Sequence, residues 1–138
     1  MTPHLSPADA ARIDSLVATF ARIGDERMKD LGLYNPALRV EAVGFRRWEG
    51  WLAGILVTPW FMNFLLLPAE GQLDGATVGT KRRIAMPRGE IAFTIGEVEE
   101  VGIYAASSLY SPMGNFADPA AASTRAWAAV EQFFVAPE

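Results

Sequence analysis

The sequence predicts an α+β fold in which a largely antiparallel sheet of five or six strands lies between an N-terminal and a C-terminal helix. Three observations predict it. Both ends of the chain carry a capping residue followed by proline, the middle alternates between apolar and polar residues, and the uncharged stretch Gly50 to Ala69 contains a proline. At 138 residues the chain suits one domain, residues 1–138, that can bury a substantial core.

The uncharged stretch first raises the possibility of a membrane-spanning helix, since about 20 apolar residues suffice to cross a bilayer. Pro59 lies in its middle, where it would remove a helix hydrogen bond and clash with the preceding turn. The stretch therefore predicts two strands, Trp51 to Val57 and Phe61 to Leu67. Because neither strand alternates, we expect both to be central with both faces covered, and we expect no membrane insertion.

The N-terminal helix is predicted from Ser6-Pro7-Ala8-Asp9, which supplies a capping hydroxyl, a proline at the first helical position and an acid three residues later. Apolar residues then recur at helical spacing: Ile13, Leu16, Val17, Phe20 and Ile23. Gly24 either caps this helix or allows close packing. The pattern leaves open whether Met28 and Leu31 extend it before Asn35-Pro36.

The segment from Leu38 to Trp48 alternates and predicts the first strand, with a bulge at Gly44. A two-residue hairpin follows at Glu49-Gly50. The hairpin would place Trp48 directly opposite Trp51, where the two side chains would pack as a cross-strand pair.

The second half of the chain predicts a loop and three further strands. After the loop Pro68 to Gly79, the strand Thr80 to Met86 begins with Lys81-Arg82-Arg83, which indicates either a charge-protected edge strand or a site for an anion or acidic peptide. A turn at Met86 to Gly89 leads to a strand that alternates through Ile91, Phe93 and Ile95. The last strand, Val101 to Tyr110, is expected to place Tyr104 and Tyr110 on one side, and Asp118-Pro119 opens the C-terminal helix.

Composition excludes several classes of function. The sequence has no cysteine, which removes disulfides, thiolate metal sites and thiol nucleophiles. A net charge of -4 argues against nonspecific nucleic-acid binding. The single histidine, His4, is near the terminus and predicts neither a metal site nor a catalytic triad. The N-terminus lacks the pattern of a secretory signal, so we expect a cytoplasmic protein without metal or cofactor.

Two catalytic or ligand-binding alternatives stay open. Glu97, close to Glu99 and Glu100, is a candidate for acid-base chemistry with a tyrosine, provided that its carboxylate is desolvated. The second alternative is a small-molecule-binding module with an apolar pocket lined by Phe61, Phe64 and Phe93.

The tryptophans and methionines favour polypeptide binding instead, because they offer adaptable apolar surface. We expect Trp51 and Phe93 in the core and Trp60, beside the strand-breaking proline, along a groove. The candidate binding residues are Trp60, Met62, Tyr104, Tyr110 and Met113.

Three segments occur in a characteristic order: Thr58-Pro59-Trp60-Phe61-Met62-Asn63 with the following Leu65-Leu66-Leu67-Pro68, then Phe93-Thr94-Ile95-Gly96-Glu97, then Ser108-Leu109-Tyr110-Ser111-Pro112. Together they resemble the HybE/HupJ family of NiFe-hydrogenase assembly chaperones over almost the whole chain. The motif positions are Thr58, Pro59, Trp60, Phe93, Gly96, Glu97, Ser111 and Pro112.

The resemblance implies a non-enzymatic accessory protein that acts in the cytoplasm on the large or small subunit precursor of a NiFe-hydrogenase, or on both, before twin-arginine export. The motif positions are candidates for both fold and client binding. From the aromatic residues near the strand break, we expect the candidate binding residues to hold an extended segment of this client, and strand addition at the sheet is one way to do so. Some family members carry a rubredoxin domain, but the absence of cysteine means that no such iron site is carried over. The resemblance transfers no catalytic residue.

Overall fold

The structure, a computed structural model, describes residues 5–135, and the candidate His4 lies outside them. Six strands form one sheet between two helices. The elements are α1 (Pro7–Ile23) with a following π-helical turn (Gly24–Met28), β1 (Glu41–Trp48), β2 (Trp51–Val57), β3 (Met62–Pro68), β4 (Lys81–Met86), β5 (Gly89–Val98), β6 (Gly102–Tyr110) and α2 (Pro119–Phe133). The strand order is β1-β2-β3-β6-β5-β4, with antiparallel neighbours. The predicted α+β fold is confirmed.

The uncharged stretch forms the two central strands, and the break falls at Pro59 as predicted. Every residue of β2 is buried, and β3 is buried over most of its length. On one face Leu52 and Leu65 pack with Leu16 and Phe20 of α1, whereas Phe64 belongs to the layer beneath α2. Within residues 5–135, neither helix has both the length and the apolar character needed to cross a membrane.

The first turn of α1 is fixed to β1 through Asp9. The Ser6 hydroxyl accepts a hydrogen bond from the Asp9 amide at 3.0 Å, which completes one half of the predicted capping box. Arg47 of β1 donates to both carboxylate oxygens of Asp9, at 2.8 and 2.7 Å. These bonds hold the pKa of Asp9 below its ordinary value of 3.8, although burial acts in the opposite direction. The helix is thereby tied to the edge of the sheet.

The hairpin between β1 and β2 confirms the predicted turn and bulge. Trp48 lies opposite Trp51, and the Trp48 ring packs edge-on against Phe134 with centroids 6.0 Å apart. The register shifts beside Gly44, where a Cβ atom would lie 2.7 Å from the Val130 side chain of α2. Because glycine has no Cβ atom, Gly44 lets α2 approach the sheet at the bulge. The strand begins at Glu41, later than predicted, because residues 35–38 form a turn.

The expectation that Tyr104 and Tyr110 share one side of β6 is wrong. The pairing between β3 and β6 shifts between Ser108 and Tyr110, so strict alternation fails at this bulge. Tyr104 packs against Phe20 of α1 with centroids 6.4 Å apart, and Tyr110 packs against Phe116 on the opposite face.

The first prediction concerns Gly54, where β2 passes beneath the Phe45 ring. A Cβ atom at Gly54 would overlap the ring of Phe45. We expect Gly54→Ala to lower the free energy of unfolding by about 1–3 kcal/mol, because the bulged strand must shift to accept the methyl group. The measurement is urea denaturation. The control is Gly114→Ala, where nothing lies within 4 Å of an added Cβ atom and the change should stay within about 0.5 kcal/mol. Equal stabilities for the two variants would contradict the packing described.

The second prediction concerns the Asp9–Arg47 ion pair. Asp9→Asn should lower the free energy of unfolding at neutral pH by about 1–2 kcal/mol, a value reduced by the exposure of Arg47. The pKa of Asp9 in the folded protein lies below 3.8, its ordinary value in the unfolded chain. The ionised carboxylate therefore contributes its full stabilisation above pH 3.8, and this stabilisation is lost as the pH falls through the folded-state pKa. Denaturation at a series of pH values measures this loss. Asp9→Asn and Arg47→Gln should both lose less stability in acid than the unmodified protein, because each removes the pair that lowers the pKa of Asp9. Fully additive effects in the double variant would refute the pairing.

Candidate functional site

Two of the sequence motifs meet at one end of the sheet. We call this region the motif end and define it as residues 29–38, 58–61 and 111–118. It contains the turn between β2 and β3, the segment after the π-helical turn, and the segment between β6 and α2.

The turn between β2 and β3 is held by Thr58, whose side chain has no exposed surface. The Thr58 hydroxyl accepts hydrogen bonds from the amides of Trp60 and Phe61, at 3.2 and 2.9 Å. The Thr58 amide donates to the Phe61 carbonyl at 2.8 Å. Since Pro59 also has a fixed φ, the backbone that carries Trp60 is strongly constrained.

Asn35 connects this turn to the segment after β6. Its backbone amide donates a hydrogen bond to the Pro59 carbonyl at 2.8 Å. Its side-chain nitrogen donates to the carbonyls of Met113 and Phe116, at 3.0 and 2.8 Å, and its side-chain oxygen accepts from the Ala37 amide. One residue therefore joins the three parts of the motif end, with its backbone amide bound to the turn and its side chain bound to the segment after β6.

An aromatic stack covers the end of α1. The rings of Tyr34 and Trp60 are 6.2 Å apart and inclined by 19°. Beneath them a Cβ atom on Gly24 would lie 2.9 Å from the Trp60 ring, so Gly24 serves close packing, one of the two roles left open by the sequence. The π-helical turn starts here, with the Lys29 amide bonded to the Gly24 carbonyl. Such turns often occur at functional sites.

The solvent side of the motif end is a shallow apolar depression of about 490 Å³, lined by residues 32–37 with Pro112, Gly114, Phe116 and Ala117. The Ser111–Pro112 peptide bond is cis. Leu31 and Leu33 are 59% and 56% exposed, so neither extends the buried stripe of α1. Exposed apolar side chains grouped beside a depression are typical of surfaces that contact another molecule.

The five candidate binding residues do not form one surface. Trp60 is partly exposed at the motif end, but Met62 and Met113 have no exposed surface and belong to the layer beneath α2. Tyr110 lies on that face, while Tyr104 lies on the α1 face. Apolar residues in a groove and in a core give the same sequence signal, which explains the wrong grouping.

The motif positions in β5 have packing roles. Phe93 is fully buried, and a Cβ atom on Gly96 would lie 2.7 Å from the Tyr104 ring. Gly96 therefore leaves room for Tyr104 to lie across the strand and reach Phe20 of α1.

The acid-base alternative required a desolvated Glu97, and the structure places this side chain in solvent. Glu97 follows Gly96, the partner of Tyr104, so it points away from the face on which Tyr104 lies. Burial raises the pKa of Tyr104 above 10.0, which keeps its hydroxyl protonated at neutral pH. This arrangement does not support proton transfer.

The predicted ligand pocket is filled by side chains. Phe64 and Phe93 have no exposed surface, and Phe133 of α2 stacks on Phe64 with centroids 3.9 Å apart. Phe61 lies on the other face of the sheet. The three rings thus do not line a common cavity.

Sequence reasoning missed Tyr34, Asn35 and Leu33. The Asn35-Pro36 pair was used only as a helix stop, although an asparagine in a loop is also a typical source of hydrogen bonds to backbone carbonyls. No pattern indicated that Leu33 would be exposed. Among residues 5–135, no three histidine, cysteine, aspartate or glutamate side chains gather to hold a metal ion.

Comparison with known proteins gives a consistent result. Residues 11–138 match the family described as NiFe-hydrogenase assembly, chaperone, HybE. The chain is 48% identical over 122 residues to the hydrogenase expression/formation protein HupJ of Bradyrhizobium diazoefficiens, covering 88% of this chain and 71% of that protein.

Two further relatives extend the comparison. The chain is 46% identical over 107 residues to the probable rubredoxin HupJ of Rhodobacter capsulatus, covering 77% of this chain and 38% of that protein. The solution structure of HybE from Escherichia coli has the same fold, with a TM-score of 0.75 and 23% identity over 99% of this chain and 83% of that one.

The third prediction concerns the Asn35 side chain. Asn35→Asp preserves its shape but replaces a donor with a carboxylate facing two carbonyl oxygens. We expect the free energy of unfolding to fall by about 1–3 kcal/mol and amides in residues 113–117 to exchange faster with solvent. Thermal unfolding and hydrogen exchange measure the two effects. Unchanged exchange in this segment would show that Asn35 does not hold it.

Proposed function

Since this chain belongs to the HybE family of NiFe-hydrogenase assembly chaperones, we propose that it binds the precursor of a hydrogenase subunit through the motif end, in the cytoplasm and without catalysing a reaction. The observation that carries this proposal is the pair of exposed leucines, Leu31 and Leu33, beside the fixed stack of Tyr34 and Trp60.

The motif end combines exposed apolar side chains with a rigid base. Burial of Leu31 and Leu33 in an interface is favourable, because more than half of each apolar side chain is exposed to water. The hydrogen bonds of Thr58 and Asn35 fix the backbone beneath them, so little conformational entropy is lost on binding. This favours a contact that forms readily.

The surroundings favour release as well as binding. Exposed polar residues lie close to the leucines in sequence, since Lys29 and Asp30 precede them. The exposed Asn115 stands between Gly114 and Phe116, two residues that line the depression. An apolar centre with a polar rim is typical of interfaces between proteins that associate reversibly. A chaperone that must hand on its client needs an interface of this kind.

Binding without catalysis agrees with the chemistry of the site. In the part of the chain that the structure describes, the depression at the motif end is lined by apolar and aromatic residues and Asn35. The charged residues Lys29 and Asp30 of the motif end are exposed, and Glu97 lies in solvent on β5. These groups recognise a polypeptide but supply no activated nucleophile or base.

The fourth prediction tests the motif end as the contact surface. Leu33→Asp should reduce the amount of hydrogenase subunit recovered with the tagged protein by about five-fold or more, since a charge replaces a central apolar contact. Recovery is measured by affinity purification from cells that produce the large subunit, the small subunit or both, which also identifies the client.

The matched control is Val78→Asp. Val78 is 53% exposed, close to the 56% of Leu33, and lies in the loop between β3 and β4. This variant should recover subunits as the unmodified protein does. If both variants keep full recovery while folding normally, the client binds elsewhere.

A further inference from the structure

A second groove lies on the α2 side of the sheet, away from the motif end. Because α2 packs mainly on β1 and β2, a groove of about 400 Å³ remains between its far flank and the β4–β5 hairpin. Its base is apolar and consists of Ile91, Leu109, Ala129 and Phe133. A volume of this size is typical of sites that hold a small ligand or a few side chains.

Two arginines border this groove and come from different elements. Arg88 lies in the hairpin turn and donates to the Gln132 side chain at 3.0 Å. Arg125 of α2 donates to the Tyr110 hydroxyl at 2.8 Å. Both partners are neutral, and within residues 5–135 neither arginine forms an ion pair. Each guanidinium has five N–H groups, so donors remain for an anion.

The charge around the groove differs from that of the whole protein. The net charge is -4, yet the segment from Lys81 to Arg88 carries four positive side chains and no negative one. β4 is an edge strand, and the side chains of its three basic residues are exposed. Glu90 also lines the groove, but its carboxylate pairs with Arg83 at 3.4 Å. An acidic partner would therefore be attracted to this edge.

We propose that this groove docks a short segment of a partner polypeptide in which apolar side chains flank a carboxylate. The apolar base takes the side chains, and Arg88 and Arg125 bind the carboxylate. Guanidinium groups suit this role because they form paired, charge-assisted hydrogen bonds with carboxylates. The assignment goes beyond the proposed function, since it concerns a different surface and does not depend on which protein occupies the motif end.

The test is a titration of the full-length, ¹⁵N-labelled protein with a tripeptide, acetylated and amidated at its ends, of sequence Leu-Glu-Leu. We expect the amide signals of Gly89, Ile91 and Gln132 to move. The matched peptide Leu-Gln-Leu should bind about five-fold more weakly, because it keeps the shape and loses the charge. Raising the ionic strength should weaken only the acidic peptide.

Variants distinguish docking in the groove from general electrostatic attraction of an acidic peptide to the basic edge of the sheet. The double variant Arg88→Gln and Arg125→Gln should weaken binding of the acidic peptide by about ten-fold. Lys81→Gln removes a charge from the same edge of the sheet but on its other face, since Lys81 lies three residues before Ile84, whose side chain packs on the α2-side core. This control should change binding by less than about two-fold. If Arg125→Gln impairs folding, Arg88→Gln alone should still weaken binding, because Arg88 is exposed in a turn.

Three results would overturn the proposal. They are equal binding of the two peptides, equal weakening by Lys81→Gln, and movement of the Trp60 indole signal in place of the groove signals. The last would place the peptide at the motif end, which supports the proposed function while removing this second site. Full recovery of the subunit with Leu33→Asp would contradict the proposed function but leaves the titration unaffected, so the two proposals fail independently.

Discussion

The structure depends on the burial of β2 and β3 on both faces. These strands contain no charged residue, so every side chain can enter one of two apolar layers without leaving a charge unpaired. Pro59 divides the uncharged stretch into two strands, because proline excludes a continuous helix. The Thr58 hydroxyl then accepts hydrogen bonds from the two turn amides that have no partner in the sheet. A helix covers each face, and both helices begin with a side-chain cap followed by proline.

Glycines set how closely the layers approach each other. Gly44 admits Val130 of α2, Gly54 admits the Phe45 ring, and Gly96 admits Tyr104. On the α1 side, Tyr104 is the last member of a row of contacting rings. The row runs from Tyr34 through Trp60, Phe61 and Phe20 to Tyr104. Two of the three motif segments, around Trp60 and Gly96, thus contribute to one packed row. The segment around Gly96 supports the motif end without belonging to it, whereas Trp60 belongs to the motif end and is partly exposed there.

The fold could be predicted because its signals are local. Proline and capping residues mark the helix starts, charge-free runs mark buried strands, and the residues at Glu49-Gly50 mark a tight turn. The site could be predicted only in part. The position of Trp60 beside Pro59 predicts a place along a groove, and its side chain is partly exposed at the motif end. The side of the sheet on which Tyr110 lies depends on a bulge that alternation does not reveal. The role of Asn35 depends on carbonyls about 80 positions away in sequence, at Met113 and Phe116, which only the folded chain brings near.

The same covering layers determine where this protein can bind another molecule. Since α1 and α2 cover the central strands, the faces of β2 and β3 are closed to partners. What remains is the end of the sheet, where Leu31 and Leu33 are exposed, and the half that α2 leaves open, where Arg88 and Arg125 border a groove. The first surface is apolar and the second adds two arginines to an apolar base, so the two proposed sites would select different features of a polypeptide. In this chain, the contacts that we propose with a client therefore involve residues outside the charge-free core.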